Sequence, residues 1–255
     1  MDLQLKGRVC LETGASTGIG RGVAELPAAE GMLLAICSRS RDPLVEVAEA
    51  IASSGVARPM VVDDDVTDPA APIRLWEAVI AVYERVDVLV SCQGNAAFVD
   101  PISPEEAWEE AYAVNFSAVR RLTKVFLPGM LERKWGRIIN ITGSMEPFST
   151  SASTAAKAAA QAWAKGLSRE VAADGVTVNS VVPGRIRSVI ADSLYPTEED
   201  RRRFADQHIP VGYFGDPGDL APMAAFLASP LARYVTGAVI DVDGGIRRFA
   251  HWCKQ

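Results

Sequence analysis

Short unbroken apolar runs alternate along this chain with longer stretches in which apolar residues return every three or four positions. The runs RVCLE (8–12), MLLAIC (32–37), PMVVD (59–63), VDVLVS (86–91), RIINIT (137–142), VTVNSVV (176–182) and AVIDV (238–242) have the pattern of strands buried on both faces. Between them, DPLVEVAEAIASSG (42–55) and PAAPIRLWEAVIAVYER (69–85) carry helical spacing, and further helices are predicted over 104–133 and 153–173. Strand and helix alternate over the full length, which requires right-handed crossovers and a parallel sheet covered on both faces. No boundary, repeat or low-complexity tract interrupts the pattern. The expectation is one α/β domain over residues 1–255, doubly wound around seven parallel strands.

Two residues strain this picture. Pro27 falls inside the first predicted helix, where it should kink or end it. Glu12 falls at the end of the first central strand, where a buried carboxylate needs a partner. A position near the surface would relieve either. Composition changes little: 49% hydrophobic and 23% charged residues are ordinary for a soluble globular chain with a substantial core. The formal net charge of −6 weighs against nucleic acid or an anionic membrane as partner. The start, MDLQLKGRVCLE, has no long apolar core, and no run approaches about 18 apolar residues, so a cytoplasmic protein is expected. Cys10, Cys37, Cys92 and Cys253 are scattered without a CxxC pair, and only His208 and His251 accompany them. No metal site is expected, and the thiols read as reduced and mostly buried.

The first stretch that carries chemistry is TGASTGIG (13–20), directly after the first strand and opening the first helix. Gly14, Gly18 and Gly20 let the backbone turn tightly and approach a ligand, with Ser16, Thr17 and Ile19 completing the loop. The helix amino terminus then offers free N–H groups to a pyrophosphate. Together with DVTD (65–68), Asn115 in AYAVNFSAV, GRIINITGS (136–144), Lys157, VNSVVPGRI (178–186) and VDGG (242–245), this turn resembles the three-glycine type of the short-chain dehydrogenase/reductase family. The resemblance covers essentially the whole chain. It implies a Rossmann domain, a nicotinamide dinucleotide, and carbonyl reduction or alcohol oxidation on a small molecule. It also implies that Asp65 accepts a hydrogen bond from the adenine amino group with the Val66 backbone beside it, and that Pro183, Gly184 and Ile186 shape the carboxamide pocket. Of the family's motif after the fourth strand only Gly94 is kept, within Ser91-Cys92-Gln93-Gly94.

The second strand ends in CSRSR (37–41). NAD-preferring relatives carry an acid here, hydrogen-bonded to the ribose 2′-hydroxyl. Ser38 stands in that position, followed by Arg39, and a hydroxyl with a guanidinium suits a 2′-phosphate. NADP is therefore the expected cofactor, with NAD the alternative and a solvated basic loop the bland reading. Thr17 stands where many NADP-using relatives carry a basic residue.

In the family a tyrosine donates the proton, and a lysine four residues later lowers the phenol's pKa from its unperturbed value of about 10 and also binds the nicotinamide ribose. A serine polarises the substrate oxygen, and an asparagine holds a water of the relay. Lys157, Ser144 and Asn115 match those positions. The tyrosine position is Ser153, and no tyrosine lies between Tyr112 and Tyr195. The segment MEPFSTSA (145–152) is also shorter than the family usually has. Serine is less acidic and shorter, and a general acid must come within about 2.6–3.2 Å of its target or work through a water. The run SMEP…LSREVAADGVTVNSVVPGRI resembles a divergent, 3-oxoacyl-carrier-protein-reductase-like subgroup that lacks this tyrosine. Three readings stay open: an NADP-dependent oxidoreductase that protonates through a water on Lys157 and Ser153 or through a flap tyrosine; a dinucleotide-binding regulatory or partner subunit of low turnover; and a non-redox enzyme on the same fold. If only the phenol is missing, Ser153→Tyr should raise reduction about tenfold, with Lys157 one turn away to lower its pKa.

Residues 187–214 follow the PG motif, where relatives have a substrate flap. Thr197 with Glu198, Glu199 and Asp200 predicts a helix cap and first turn, and RRRF (201–204) reads as a solvated helix face more than an anion site. The resemblance further implies a homotetramer or homodimer paired through the helices at 104–133 and 153–173, with Trp163 a bulky anchor in an alanine-rich run.

Overall fold

The computed structural model describes residues 2–100, 102–146 and 149–246; Cys253 and His251, and Pro147 and Phe148 of the shortened segment, lie outside the described residues. All seven predicted strands form: β1 (Val9–Thr13), β2 (Leu33–Ser38), β3 (Met60–Asp63), β4 (Val88–Ser91), β5 (Gly136–Ile141), β6 (Val176–Pro183) and β7 (Val239–Val242). They pair in parallel throughout, in the order β3-β2-β1-β4-β5-β6-β7. The helices are α1 (Gly18–Ala29), α2 (Arg41–Ser53), α3 (Ala71–Tyr83), α4 (Glu105–Tyr112), α5 (Ala118–Glu132), α6 (Ala152–Val171), α7 (Val189–Leu194), α8 (Glu198–His208) and α9 (Ala221–Ala228).

Successive strand residues point to opposite faces, so each apolar run feeds two cores. Cys10, Ile36, Val90 and Ile139 pack with Val23 of α1, Leu44 of α2 and Leu227 of α9. Leu11, Ala35, Leu89 and Ile138 meet Leu75 of α3, Leu122 of α5 and Ala164 of α6. Each fully buried Leu or Ile contributes about 1.5–3 kcal/mol, which is why the central runs place the strands so firmly. The chain winds outward from β1 to β3, then returns to β4 on the other side of β1. That reversal opens a crevice at the carboxyl ends of β1 and β4.

The stretch read as one helix over 104–133 is broken. A π-helical turn over 113–117 joins α4 to α5 and carries Asn115. Trp163 packs edge-on against Phe116 of that turn, with ring centroids 6.5 Å apart, inside the same chain. Pro27 lies in the last turn of α1, which ends at Ala29, and Pro27 and Glu12 are both buried, so neither is relieved by a surface position. Beyond β6, Ala191, Ala205, Ile209 and Phe214 form a small separate core with Tyr195 and Phe204. Thr197 caps α8 as its spacing predicts, Oγ1 accepting the Asp200 N–H at 3.0 Å. Among the described residues no helix is long and apolar enough to cross a membrane.

Candidate active site

The glycine turn is forced by close packing. A Cβ on Gly14 would lie 2.5 Å from the Gln93 backbone nitrogen, and one on Gly20 only 2.1 Å from the Gly14 carbonyl oxygen. Only glycine lets β1, the turn and α1 press together this closely. A cleft of about 570 Å³ opens above them, and Ser16, Thr17, Gly18 and Ile19 line it with the two glycines. Thr17 leads into α1 without a side-chain cap, and the first turn holds no acid. The leading N–H groups thus meet the cleft with no side chain covering them, an arrangement that suits an anion.

Around this floor the structure gathers the other predicted residues. Ser38 and Arg39 reach the cleft from the end of β2, Asp65 and Val66 from the end of β3, Gly94 from the end of β4, and Pro183 from β6. Arg39 is exposed and makes no ion pair with the described residues, whereas its neighbour Arg41 is held by Asp63. Asp65 Oδ1 accepts the Thr67 N–H at 2.9 Å and its hydroxyl at 2.7 Å, which leaves the other carboxylate oxygen without a partner among the described residues.

A second cavity of about 330 Å³ adjoins the first, and Lys157, Asn95, Thr142, Pro183 and Ile190 line both. Ser144, Ser153, Gly184, Ile186 and Tyr195 belong to the second. Lys157 is seated by two glycines: a Cβ on Gly94 would come 3.4 Å from its Nζ, and one on Gly143 would come 3.2 Å from its Cδ. Its ammonium makes no hydrogen bond or ion pair with the described residues. Burial holds it below the ordinary 10.5 of a lysine, opposed only by Cys92.

Ser153 is differently placed from a free acid. It is 5% exposed. Its Oγ accepts the Ala97 N–H at 2.7 Å and donates to Asn95 Oδ1 at 2.9 Å. Asn115 Nδ2 donates to the same Asn95 oxygen and to the Ala111 carbonyl, both at 2.8 Å. Phe98 and Ser151 form an isolated antiparallel bridge, and Ser151 Oγ donates to the Ala97 carbonyl at 3.2 Å. Ser153 and Asn115 are thus both used to hold the 95–98 segment against α6 and the π turn. Asn115 lines neither cavity and sits one hydrogen bond behind Asn95.

Ser144 is the opposite case. Its Oγ accepts the Glu146 N–H at 3.0 Å, and its own proton has no acceptor among the described residues, so it is available to a ligand oxygen. Gln161 ties this approach to α6, Nε2 donating to Thr142 Oγ1 at 3.0 Å and to the Gly143 carbonyl at 2.6 Å. Sequence reasoning missed Asn95 and the anchoring role of Gln161; no motif marks either, although Asn95 follows Gly94 directly. The RRRF run is a paired helix face: Arg201 meets Asp192 and Glu198, Arg202 meets Asp206, and Arg203 meets Asp200. Among the described residues no group of three His, Cys, Asp or Glu side chains is placed to hold a metal ion.

Comparison with known proteins extends these observations to the whole chain. Residues 14–247 match the family described as Enoyl-(Acyl carrier protein) reductase. The 3-oxoacyl-[acyl-carrier-protein] reductase FabG of Vibrio cholerae is 34% identical over 250 residues, spanning 96% of this chain and 99% of the relative. That of Thermotoga maritima is 34% identical over 253 residues, with the same two coverages. Among solved structures, L-sorbose reductase from Gluconobacter frateurii complexed with NADPH and L-sorbose superposes with a TM-score of 0.91 at 29% identity, covering 97% of this chain and 99% of that one. Actinorhodin polyketide ketoreductase with NADPH gives 0.90 at 31% identity, covering 94% and 97%. Sequence and sheet agree from the glycine turn to the last strand, and the chain belongs to the short-chain dehydrogenase/reductase family.

Proposed function

We propose that this chain is an NADP-dependent oxidoreductase interconverting a carbonyl and an alcohol, with Ser153 at the position where relatives carry the proton-donating tyrosine. The observation that carries this reading is Lys157, a half-buried ammonium without a partner among the described residues, on the wall shared by the glycine-turn cleft and the second cavity. The NADPH named for the sorbose reductase and the polyketide ketoreductase supports the same cofactor here. The cleft fits it: the uncapped start of α1 suits the pyrophosphate, unpaired Arg39 beside Ser38 suits the 2′-phosphate, and the open oxygen of Asp65 suits the adenine amino group. When bound, NADPH supplies the hydride.

The remaining steps fall to the chain's own side chains. Ser144 donates its free hydroxyl proton in a hydrogen bond to the carbonyl oxygen, which stabilises charge developing there. The Lys157 ammonium gives up the proton that completes the alcohol. Its lowered pKa makes it a stronger acid than an exposed lysine, and solvent restores the proton afterwards. Ser153 is a positioning residue, because its own proton is already given to Asn95. That commitment also favours a second reading, a dinucleotide-binding subunit of low turnover.

The cofactor preference has its own test. NADPH is expected to bind more tightly than NADH, and Arg39→Ala to narrow the difference by about 1–3 kcal/mol, the range for a hydrogen bond to a charged group. Fluorescence titration of both cofactors measures it, and equal affinities in the parent would overturn the preference.

A further inference from the structure

Four of the five arginines between the end of β6 and the end of α8 are satisfied. Arg187 pairs with Glu198 and Asp216, and Arg201, Arg202 and Arg203 each have a carboxylate partner. Arg185 is the exception. It lines the second cavity beside Ser144 and Lys157, yet its guanidinium makes no ion pair or hydrogen bond with the described residues. Its Nε is sealed from solvent with no acceptor. Two carboxylates, Glu146 and Asp243, line the same cavity, and neither lies within ion-pair distance of it; Asp243 Oδ1 accepts the Gly245 N–H at 2.8 Å.

The guanidinium is held in place by the fold. The Arg185 carbonyl accepts the Gly215 N–H at 2.9 Å, and Arg187 N–H reaches the Gly215 carbonyl at 2.9 Å, pinning the backbone on both sides. Gly184 is pressed against Asp243, where a Cβ would come 2.5 Å from its Cα, so the preceding backbone is fixed as well. The guanidinium carbon lies 5.5 Å over the Phe204 ring, and that ring is braced by Tyr195 at 4.7 Å and Phe214 at 5.9 Å. An aromatic face steadies a cation without neutralising it. A fixed, unpaired fork of donors is matched by a planar or tetrahedral oxyanion.

We propose that Arg185 is a specificity-determining residue, and that the substrate carries a carboxylate or phosphate group which it receives while the carbonyl end meets Ser144 and Lys157. This rests on the reductase reading, since it places the anion at one end of a cavity whose other end is the proposed reaction centre. Buried donors left unpaired by a neutral analogue give the discrimination its strength.

The test pairs charged substrates with neutral ones: acetoacetate against methyl acetoacetate, and dihydroxyacetone phosphate against dihydroxyacetone. Each is assayed with NADPH, and titrated calorimetrically into the protein with NADP⁺ and without it. The parent is expected to favour the charged member of at least one pair, and which pair responds tells carboxylate from phosphate. Arg185→Gln is expected to shrink the charged-to-neutral ratio of kcat/KM by about 10²-fold, with part of it returning in Arg185→Lys. A charged preference in binding without any turnover would keep the role of Arg185 and remove the reductase reading. The proposal is overturned if the parent takes neutral members as well as charged ones, if no charged member binds, or if Arg185→Gln keeps the parent's ratio.

Discussion

Replacing Lys157 with methionine is expected to lower NADPH-dependent carbonyl reduction by about 10²–10⁴-fold in kcat, equivalent to roughly 3–5 kcal/mol of barrier. Methionine keeps the length and bulk that Gly94 and Gly143 accommodate, but it has no proton to give. NADPH affinity should fall far less, because the glycine turn and Arg39 are untouched. The parent's pH profile follows from the same side chain. Burial lowers the Lys157 pKa, and the ammonium is the proton source, so the rate is expected to fall as pH rises through that value, below the ordinary 10.5. Ser153→Tyr is a useful contrast. A phenol here must displace Ala97 and Asn95, which the serine oxygen now holds at 2.7 and 2.9 Å, so no gain over the parent is expected in place of the tenfold rise the sequence suggested. Full activity in Lys157→Met, or a large gain in Ser153→Tyr, would place the proton donor elsewhere.

Glu12→Val is expected to stabilise the protein. Glu12 is 0% exposed on β1, between Ile36 of β2 and Val90 of β4, and neither carboxylate oxygen has a hydrogen-bond partner among the described residues. Burial pushes its pKa well above the ordinary 4.5, and burial first, with the Glu12 carboxylate second, raises the Cys10 and Cys92 thiols. A carboxyl with a raised folded pKa favours folding fully only below its unfolded pKa, and that contribution is lost as pH rises through the folded value. The advantage of valine should therefore be small near pH 4 and grow above it. At neutral pH a gain of about 2 kcal/mol is expected, near the middle of the range for an unpartnered buried polar group. For a chain of this size that corresponds to a rise in Tm of about 4–8 °C. Thermal unfolding of parent and variant at acidic and neutral pH measures it; a loss at both would show that Glu12 has a partner role, and a gain independent of pH would show that its pKa is not raised in the folded state.

The inner strands β1, β2, β4, β5 and β6 were legible because a strand covered on both faces has no polar side to interrupt its apolar run; the edge strands β3 and β7 are only partly buried but keep short apolar runs, and all seven fall within two residues of the runs that predict them. The cleft was legible for a similar reason: the turn, Arg39 and Asp65 follow directly from strand ends. What stayed hidden depends on contacts between distant parts of the chain. The hydroxyl of Ser153 is engaged by Asn95 and Ala97 from an earlier loop, and no local pattern announces that pairing. The π turn at 113–117 leaves the helical periodicity of 104–133 almost unchanged, so Asn115 read as part of one helix. Arg185 was concealed inside a recognisable motif, while the more conspicuous RRRF drew notice and proved to be fully paired.

The most direct measurement follows the label. NADPH deuterated at the transferring position of C4 is incubated with the protein and a panel of ketones, oxo acids and acyl thioesters, and the products are analysed by mass spectrometry. Deuterium bound to the new carbinol carbon, lost together with turnover in Lys157→Met, is the predicted result. Tight NADPH binding with no deuterium in any product would contradict the oxidoreductase assignment and leave a dinucleotide-binding subunit in its place.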